Sequence, residues 1–250
     1  MSRVQSIERA FAVLGSLVGG PLGVTEVAGR ARLPKSTAAR LLASLEREGA
    51  VEQMPGETRY RLGPRIAALA SGLRERRGLV AIARPALVDL AAETGEAAGL
   101  SVPDGQAAHY VDQVDSHNPV QVRDWTGTRI PMHAVSSGQV FLAHLGAPVL
   151  ARFLAEPLER FTPATVTDAA TLLERLRDVR RDGHAWAREE LATGITSVAA
   201  PVAGVDGEVV AAIHVHGPSY RFPAPGREDS VAQAVRSAAA RVGARLRAGT

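Results

Sequence analysis

The chain has 250 residues, 46% of them hydrophobic and none of them cysteine, so it can bury a sizeable core but can form neither a disulfide nor a thiolate metal site. Its formal charge of +3 conceals a division: residues 1–77 carry thirteen cations against seven acids, a net of +6, and the remainder sixteen against nineteen, a net of −3. No apolar run reaches membrane-spanning length and no secretory leader precedes the first charged helix, so the expectation is a cytoplasmic protein with no membrane partner.

In chain order, Ser6 is expected to cap a helix running to Val18, with Ile7, Ala10, Phe11, Leu14 and Leu17 as its apolar stripe. Thr25 is expected to cap a second, with Val27, Ala28 and Ala31 facing inward. After a short Arg32-Leu33-Pro34 turn, a third helix is predicted from Lys35 to Glu48, stopped by Gly49. Ala38, Leu41, Leu42 and Leu45 share one face of it; Lys35, Ser36, Ala39, Arg40 and Arg47 lie on or near the other. A hairpin follows, Ala50–Glu52 and Arg59–Leu62 around Pro55-Gly56. That order is a winged helix-turn-helix, whose third helix presents its N-terminal residues to the major groove of double-stranded DNA. Lys35, the only lysine, is expected with Ser36, Thr37 and Arg40 at base edges or phosphates, Arg59 and Arg61 on the wing, and Arg3 and Gln5 at the backbone. The plainer alternative is a three-helix packing unit with solvating charges; the segregation of positive charge onto this end weighs against it.

From Pro64 to about Gly78, Ile66, Leu69, Ala70 and Leu73 predict a connecting helix. A second domain then opens with a helix over 79–93, near or across Pro85, followed by strands at 98–102, 108–114 and 120–125. Helices are predicted over 137–154 and 168–182, strands at 185–189, 196–202 and 209–216, and a closing helix over 227–247. The fold class is α+β, an antiparallel sheet flanked by helices.

The small residues Ala134-Val135-Ser136-Ser137-Gly138 ahead of an apolar helix can hold an anion on free N–H groups, or Ser136 or Ser137 can simply cap that helix. His214 and His216, two apart on a strand, point to one face and can address one pocket. They can also bind one metal with Glu189, Glu190 or His133, although nothing in the sequence fixes a third ligand. A nominal Ser-His-acid set exists without the Gly-x-Ser-x-Gly elbow that would orient it, so no enzyme and no cofactor is expected.

Several short runs together carry a resemblance. Val4-Gln5-Ser6-Ile7-Glu8-Arg9-Ala10, Leu33-Pro34-Lys35-Ser36-Thr37 with Arg40-Leu41-Leu42, and Tyr60-Arg61-Leu62-Gly63 resemble the N-terminal signature of IclR-type transcriptional regulators. His133-Ala134 with Gly138, Arg160-Phe161-Thr162, Glu189-Glu190 with Gly194, Val198–Val202 and Gly217-Pro218 continue the match in that family's order. The resemblance implies a winged helix-turn-helix over 1–63, a linker helix over 64–78 that helps to dimerise, and a GAF-like effector-binding and oligomerisation domain over 79–250. It further implies dimers or dimers of dimers, and a small-molecule effector held by the Ser136-Ser137-Gly138 loop, by Ser197 and by the strand ending at Gly217. Relatives commonly carry serines at His214 and His216, an acid at Ala187 and often a cysteine at Ser197; these departures lead us to expect an acidic or larger ligand, a carboxylate or aromatic acid. The function expected is a metabolite-controlled repressor. The alternatives are a metal-dependent or hydrolytic enzyme fused to a docking helix-turn-helix, and a regulator that has lost its effector.

Overall fold

The computed structural model describes residues 5–248 except 117, 120 and 121, and only the backbone along 70–77. The chain divides into two compact units, residues 1–77 and 78–250.

The first unit holds α1 (Gln5–Ser16), β1 (Leu22–Gly23), α2 (Val24–Ala31), α3 (Lys35–Arg47), β2 (Val51–Gln53) and β3 (Arg59–Leu62). Val13, Leu17, Val27, Ala38 and Leu42 make its core, and α3 turns an apolar edge inward as its spacing requires. Gly49, at φ 69°, supplies the left-handed residue after α3. The wing gains a strand that the sequence did not suggest: β1 pairs with β3, giving the order β1-β3-β2.

Two expected caps are corrected. Gly23, not Thr25, caps α2, because the Glu26 carboxylate reaches back to the Gly23 N–H at 2.9 Å. Ser6 lies inside α1, which already includes Gln5. The inward stripe of α1 is also shifted: Val13, Ser16 and Leu17 are buried, whereas Ile7 and Phe11 are 55% and 69% exposed.

A single helix, α4 (Pro64–Thr94), runs where a linker helix and a second helix were expected, and it carries Pro85 in its interior. The second unit contains β4 (Ala97–Asp104), β5 (Ala107–Val114), β6 (Arg129–Pro131), α5 (Ser136–His144), α6 (Ala147–Ala155), α7 (Ala169–Asp182), β7 (Ala185–Arg188), β8 (Ile195–Ala203), β9 (Val209–Pro218) and α8 (Glu228–Ala248). Its six strands form one antiparallel sheet in the order β6-β5-β4-β9-β8-β7. Side chains alternate across it. Leu100, Val198, Ile213 and Val215 pack on Leu87 and Leu90 of α4 and on Val235 and Val242 of α8. The opposite face carries Tyr110, Ala199 and Ala212 against Val140 and Leu142 of α5 and Leu172 and Leu176 of α7.

The strand expected at 120–125 is not found in residues 122–125, and Val120 and Gln121 lie outside the described residues. Asp124 instead accepts the Thr126 N–H at 2.8 Å and Gly127 takes φ 85°, which makes a turn; the edge strand forms later, as β6. The helix expected over 137–154 is two helices. Leu145 is extended, Gly146 caps α6, and Pro148 sits in that helix's first turn.

Candidate functional site

In the first unit, α3 carries Ala38 and Leu42 into the core and leaves Lys35, Ser36 and Arg40 exposed, with Thr37 half-buried. No side chain caps α3, so its first N–H groups are open to an anion on the face where Lys35 stands. The turn into it is tight: Arg32 adopts φ 54° and the Leu33 N–H reaches the Ala28 carbonyl at 2.9 Å. The wing arginines are present but engaged. Arg59 pairs with Glu57 at 2.5 Å and Arg61 with Glu52 at 2.6 Å, while Arg65 at the start of α4 pairs with Glu48 at 3.2 Å. The Arg59 hydrogen bond holds the Glu57 carboxyl below its ordinary pKa. Among the described residues no such pair involves Lys35 or Arg40. Exposed pairs of this kind are weak and exchangeable. Gln5 is exposed on α1, and Arg3 lies outside the described residues.

In the second unit the residues expected at an effector site gather beneath α5, on the α5 and α7 face of the sheet. His216 sits between Ala97 of β4 and Ser197 of β8; His214 sits between Gly99 and Ala199. The small neighbours make room. A Cβ on Gly99 would overlap His214 Nε2, so glycine there and histidine opposite require one another. Both rings are nearly sealed from water, at 1% and 3% exposure. They stack with centroids 5.6 Å apart, and Tyr110 meets His214 edge-on at 4.6 Å. None of the four imidazole nitrogens has a hydrogen-bond partner among the described residues. Burial keeps both rings neutral: His216 is pushed down to about 4, with Asp115 and Asp124 opposing the shift, and His214 lies well below its ordinary value. Burial also pushes the Tyr110 phenol up to about 12.

Ser136 does not cap α5, contrary to the simpler alternative. Val135 takes the cap position without a side-chain bond, and the Ser136 hydroxyl donates to Ser197 Oγ at 2.9 Å, leaving the Ser197 proton for another acceptor. Gly138 serves packing, since a Cβ there would overlap the backbone of Met132. Ala187, Ser197 and His216 line one cavity of about 30 Å³ together with Ala134 and Val135 at the head of the expected loop, whereas Ser136, Ser137, Gly138 and His214 do not line it. The other walls come from Tyr110, Trp125, Ile130, Glu190, Leu191 and Ile195, none of which was marked as an effector contact. Of these, Tyr110, Ile130 and Ile195 lie on β5, β6 and β8, whereas Trp125, Glu190 and Leu191 come from the segments between elements.

Glu190 is anchored from several sides. Its carboxylate accepts from Arg175 of α7 at 2.6 Å and from the Gln139 amide at 3.0 Å, and its carbonyl from Thr165 at 2.7 Å. Burial raises its pKa against the pull of Arg175. These bonds also answer the metal alternative: Glu190 is occupied, His133 Nε2 lies 2.8 Å from the Glu159 carbonyl, and no three His, Asp or Glu among the described residues converge.

The molecule thus combines a winged helix-turn-helix bearing exposed cations with an α+β domain that closes on a mainly apolar cavity holding a few polar side chains, the construction of a ligand-controlled DNA-binding regulator. Residues 6–55 match the IclR helix-turn-helix domain and residues 73–244 the C-terminal domain of bacterial IclR transcriptional regulators. The chain is 37% identical over 254 residues to the glycerol operon regulatory protein of Streptomyces griseus, covering 98% of each. It is 36% identical over 221 residues to the regulator BhcR of Paracoccus denitrificans, covering 88% of this chain and 79% of that one. Among solved structures it resembles an IclR homolog of Microbacterium hydrocarbonoxydans complexed with 4-hydroxybenzoate, with a TM-score of 0.66, 28% identity, and coverage of 97% and 99% of the two chains. The chain belongs to the IclR family of bacterial transcriptional regulators. No helix among the described residues is long and apolar enough to cross a membrane.

Proposed function

We propose that this regulator is a cytoplasmic repressor that works as a dimer or a dimer of dimers, and that its effector is a small monocarboxylate with an apolar or aromatic body. Lys35, Ser36, Thr37 and Arg40 meet base edges and phosphates from the head of α3, and Arg59 and Arg61 exchange their glutamates for phosphates on the wing. Arg3 and Gln5 add backbone contacts. In the second domain Ser197 and His216 donate to the acid's oxygens and the aromatic and aliphatic walls take its body, with Ser136, Ser137, Gly138, Ala187 and His214 shaping the site. The observation that carries this reading is the juxtaposition of a hydroxyl with a proton to give and an unpartnered imidazole in one buried cavity.

A cavity of about 30 Å³ accommodates a water or two and no organic acid, so the acid-bound state is a wider one. The ligand therefore favours one of two states, which is the differential affinity that control of DNA binding requires. A regulator that has lost its effector would also have a narrow cavity. Against that reading stand the two buried ring nitrogens of His216, at the cavity wall and without partners among the described residues, which a core with no ligand to meet has no reason to keep.

A thermal-shift panel of acetate, lactate, benzoate and 4-hydroxybenzoate with the full chain tests the proposal, because a ligand bound only to the folded state raises Tm by mass action. At least one acid is expected to raise Tm; no response from any would support the effector-free reading.

A further inference from the structure

We propose that His216 is the counter-ion of the bound effector: neutral in the empty cavity, it takes up a proton as the carboxylate enters, so each acid is bound together with one proton. This rests on the carboxylate reading above and adds how the charge is met.

Among the described residues the cavity wall contains no lysine or arginine. Its one formally charged side chain is Glu190, which is negative, and the cation nearest to that carboxylate, Arg175, is already committed to it at 2.6 Å. A carboxylate entering such a cavity loses its water and meets a like charge. The α5 N-terminus offers only a partial positive charge, and Ser197 offers a neutral donor. A full positive charge has to come from a group that can acquire one, and among the described residues His216 is the only such group on the wall.

The surroundings of His216 fit that role. On its own strand His214 stacks against it, and β8 contributes Ser197 and β4 only Ala97. The β5 strand brings Tyr110, which burial keeps protonated, and the segment after it brings Asp115 and Asp124, both of which draw His216 toward its charged form. Arg123 is placed over the Trp125 ring at 3.9 Å; α5 presents the neutral Ser136, Ser137 and Gln139, its one titratable group, His144, standing in its last turn against the Val140 carbonyl; and the 188–191 turn adds Glu190 with its Arg175. In the empty state burial outweighs the two aspartates, and an added carboxylate at hydrogen-bond distance tips the balance. His214 does not line the cavity and is disfavoured as a cation first by burial and then by His216, so the pair accepts one proton and not two.

The test is calorimetry of the full chain with acetate, lactate, benzoate and 4-hydroxybenzoate in phosphate and in Tris, whose ionisation enthalpies differ. Any acid that binds is expected to show uptake approaching about one proton as the pH falls from about 8 to 6, and its Kd to tighten by up to about tenfold per pH unit over the range in which uptake is complete. His216→Gln keeps a hydrogen-bonding side chain that cannot charge, so it should bind more weakly, with no buffer dependence and a flat pH profile; His214→Gln should keep the uptake. Binding by the native chain with no proton uptake and no pH dependence would overturn the counter-ion and leave the carboxylate reading standing. Failure of every acid to bind would overturn both.

Discussion

The surface around α3 and the cavity beneath α5 both offer donors to an anion, by opposite means. Around α3 the groups stand in water: Lys35 and Arg40 are exposed and the wing arginines rest on glutamates. Beneath α5 the groups are sealed, neutral and unpartnered, as His214 and His216 are. The exposed surface gains affinity from many weak, salt-screened contacts and has little to lose when one is removed. The buried cavity depends on a few groups whose solvation was sacrificed on folding, so a single charge or methyl group there has a large effect.

Acid should break the cavity before it touches the wing. His214 and His216 are neutral when folded and regain an ordinary pKa when unfolded, so in mild acid the unfolded chain binds more protons. The stability they contribute is complete above about pH 6.5 and is lost as pH falls toward about 4, at about 1.4 kcal/mol per pH unit for each imidazole. Urea denaturation followed by circular dichroism at stepped pH should show this slope, and a His214→Gln, His216→Gln double variant should flatten it.

Next in size, Gly99→Ala should cost about 1 to 3 kcal/mol, because its methyl group overlaps the His214 ring. Adding His214→Ala should recover part of that loss, and the double-mutant cycle measures the coupling. Strictly additive losses would mean that the two residues do not share space.

On the exposed side, Lys35→Ala with Arg40→Ala should weaken binding to a preferred duplex by about 10- to 100-fold and lower the salt slope by about two, with no change in Tm. Unchanged affinity in gel shifts would remove α3 from the interface. The smallest effect belongs to the wing glutamates. Glu52→Gln and Glu57→Gln free Arg61 and Arg59, and should raise affinity for random duplex by about two- to threefold in fluorescence anisotropy at low salt.

The same contrast decides what could be read from residues alone. Lys35 to Gly49 announces its helix, its inner edge and its stop through local spacing and a glycine, and the alternating strands of the second domain are legible for the same reason. The pairing of His214 with His216 follows from strand period two. Tyr110, Trp125 and Glu190 were missed because they come from a strand, a turn and a loop far apart in the chain, and only the folded domain brings them to one wall. Local competition explains the other misses. Glu26 reaches back to claim the cap that Thr25 seemed to offer, Asp124 and Gly127 turn a run that alternates like a strand, and Ile7 and Phe11 follow helical spacing on the wrong side of α1.

The most direct measurement is the affinity of the full chain for duplex taken from upstream of its own gene, compared with random duplex of equal length, across a salt series with and without the four acids. Recognition by α3 under control of the cavity predicts a preference for the upstream fragment, a steep loss of affinity with salt, and a shift of about tenfold or more when a binding acid is added. Equal affinity for both duplexes, unmoved by any acid, would contradict it.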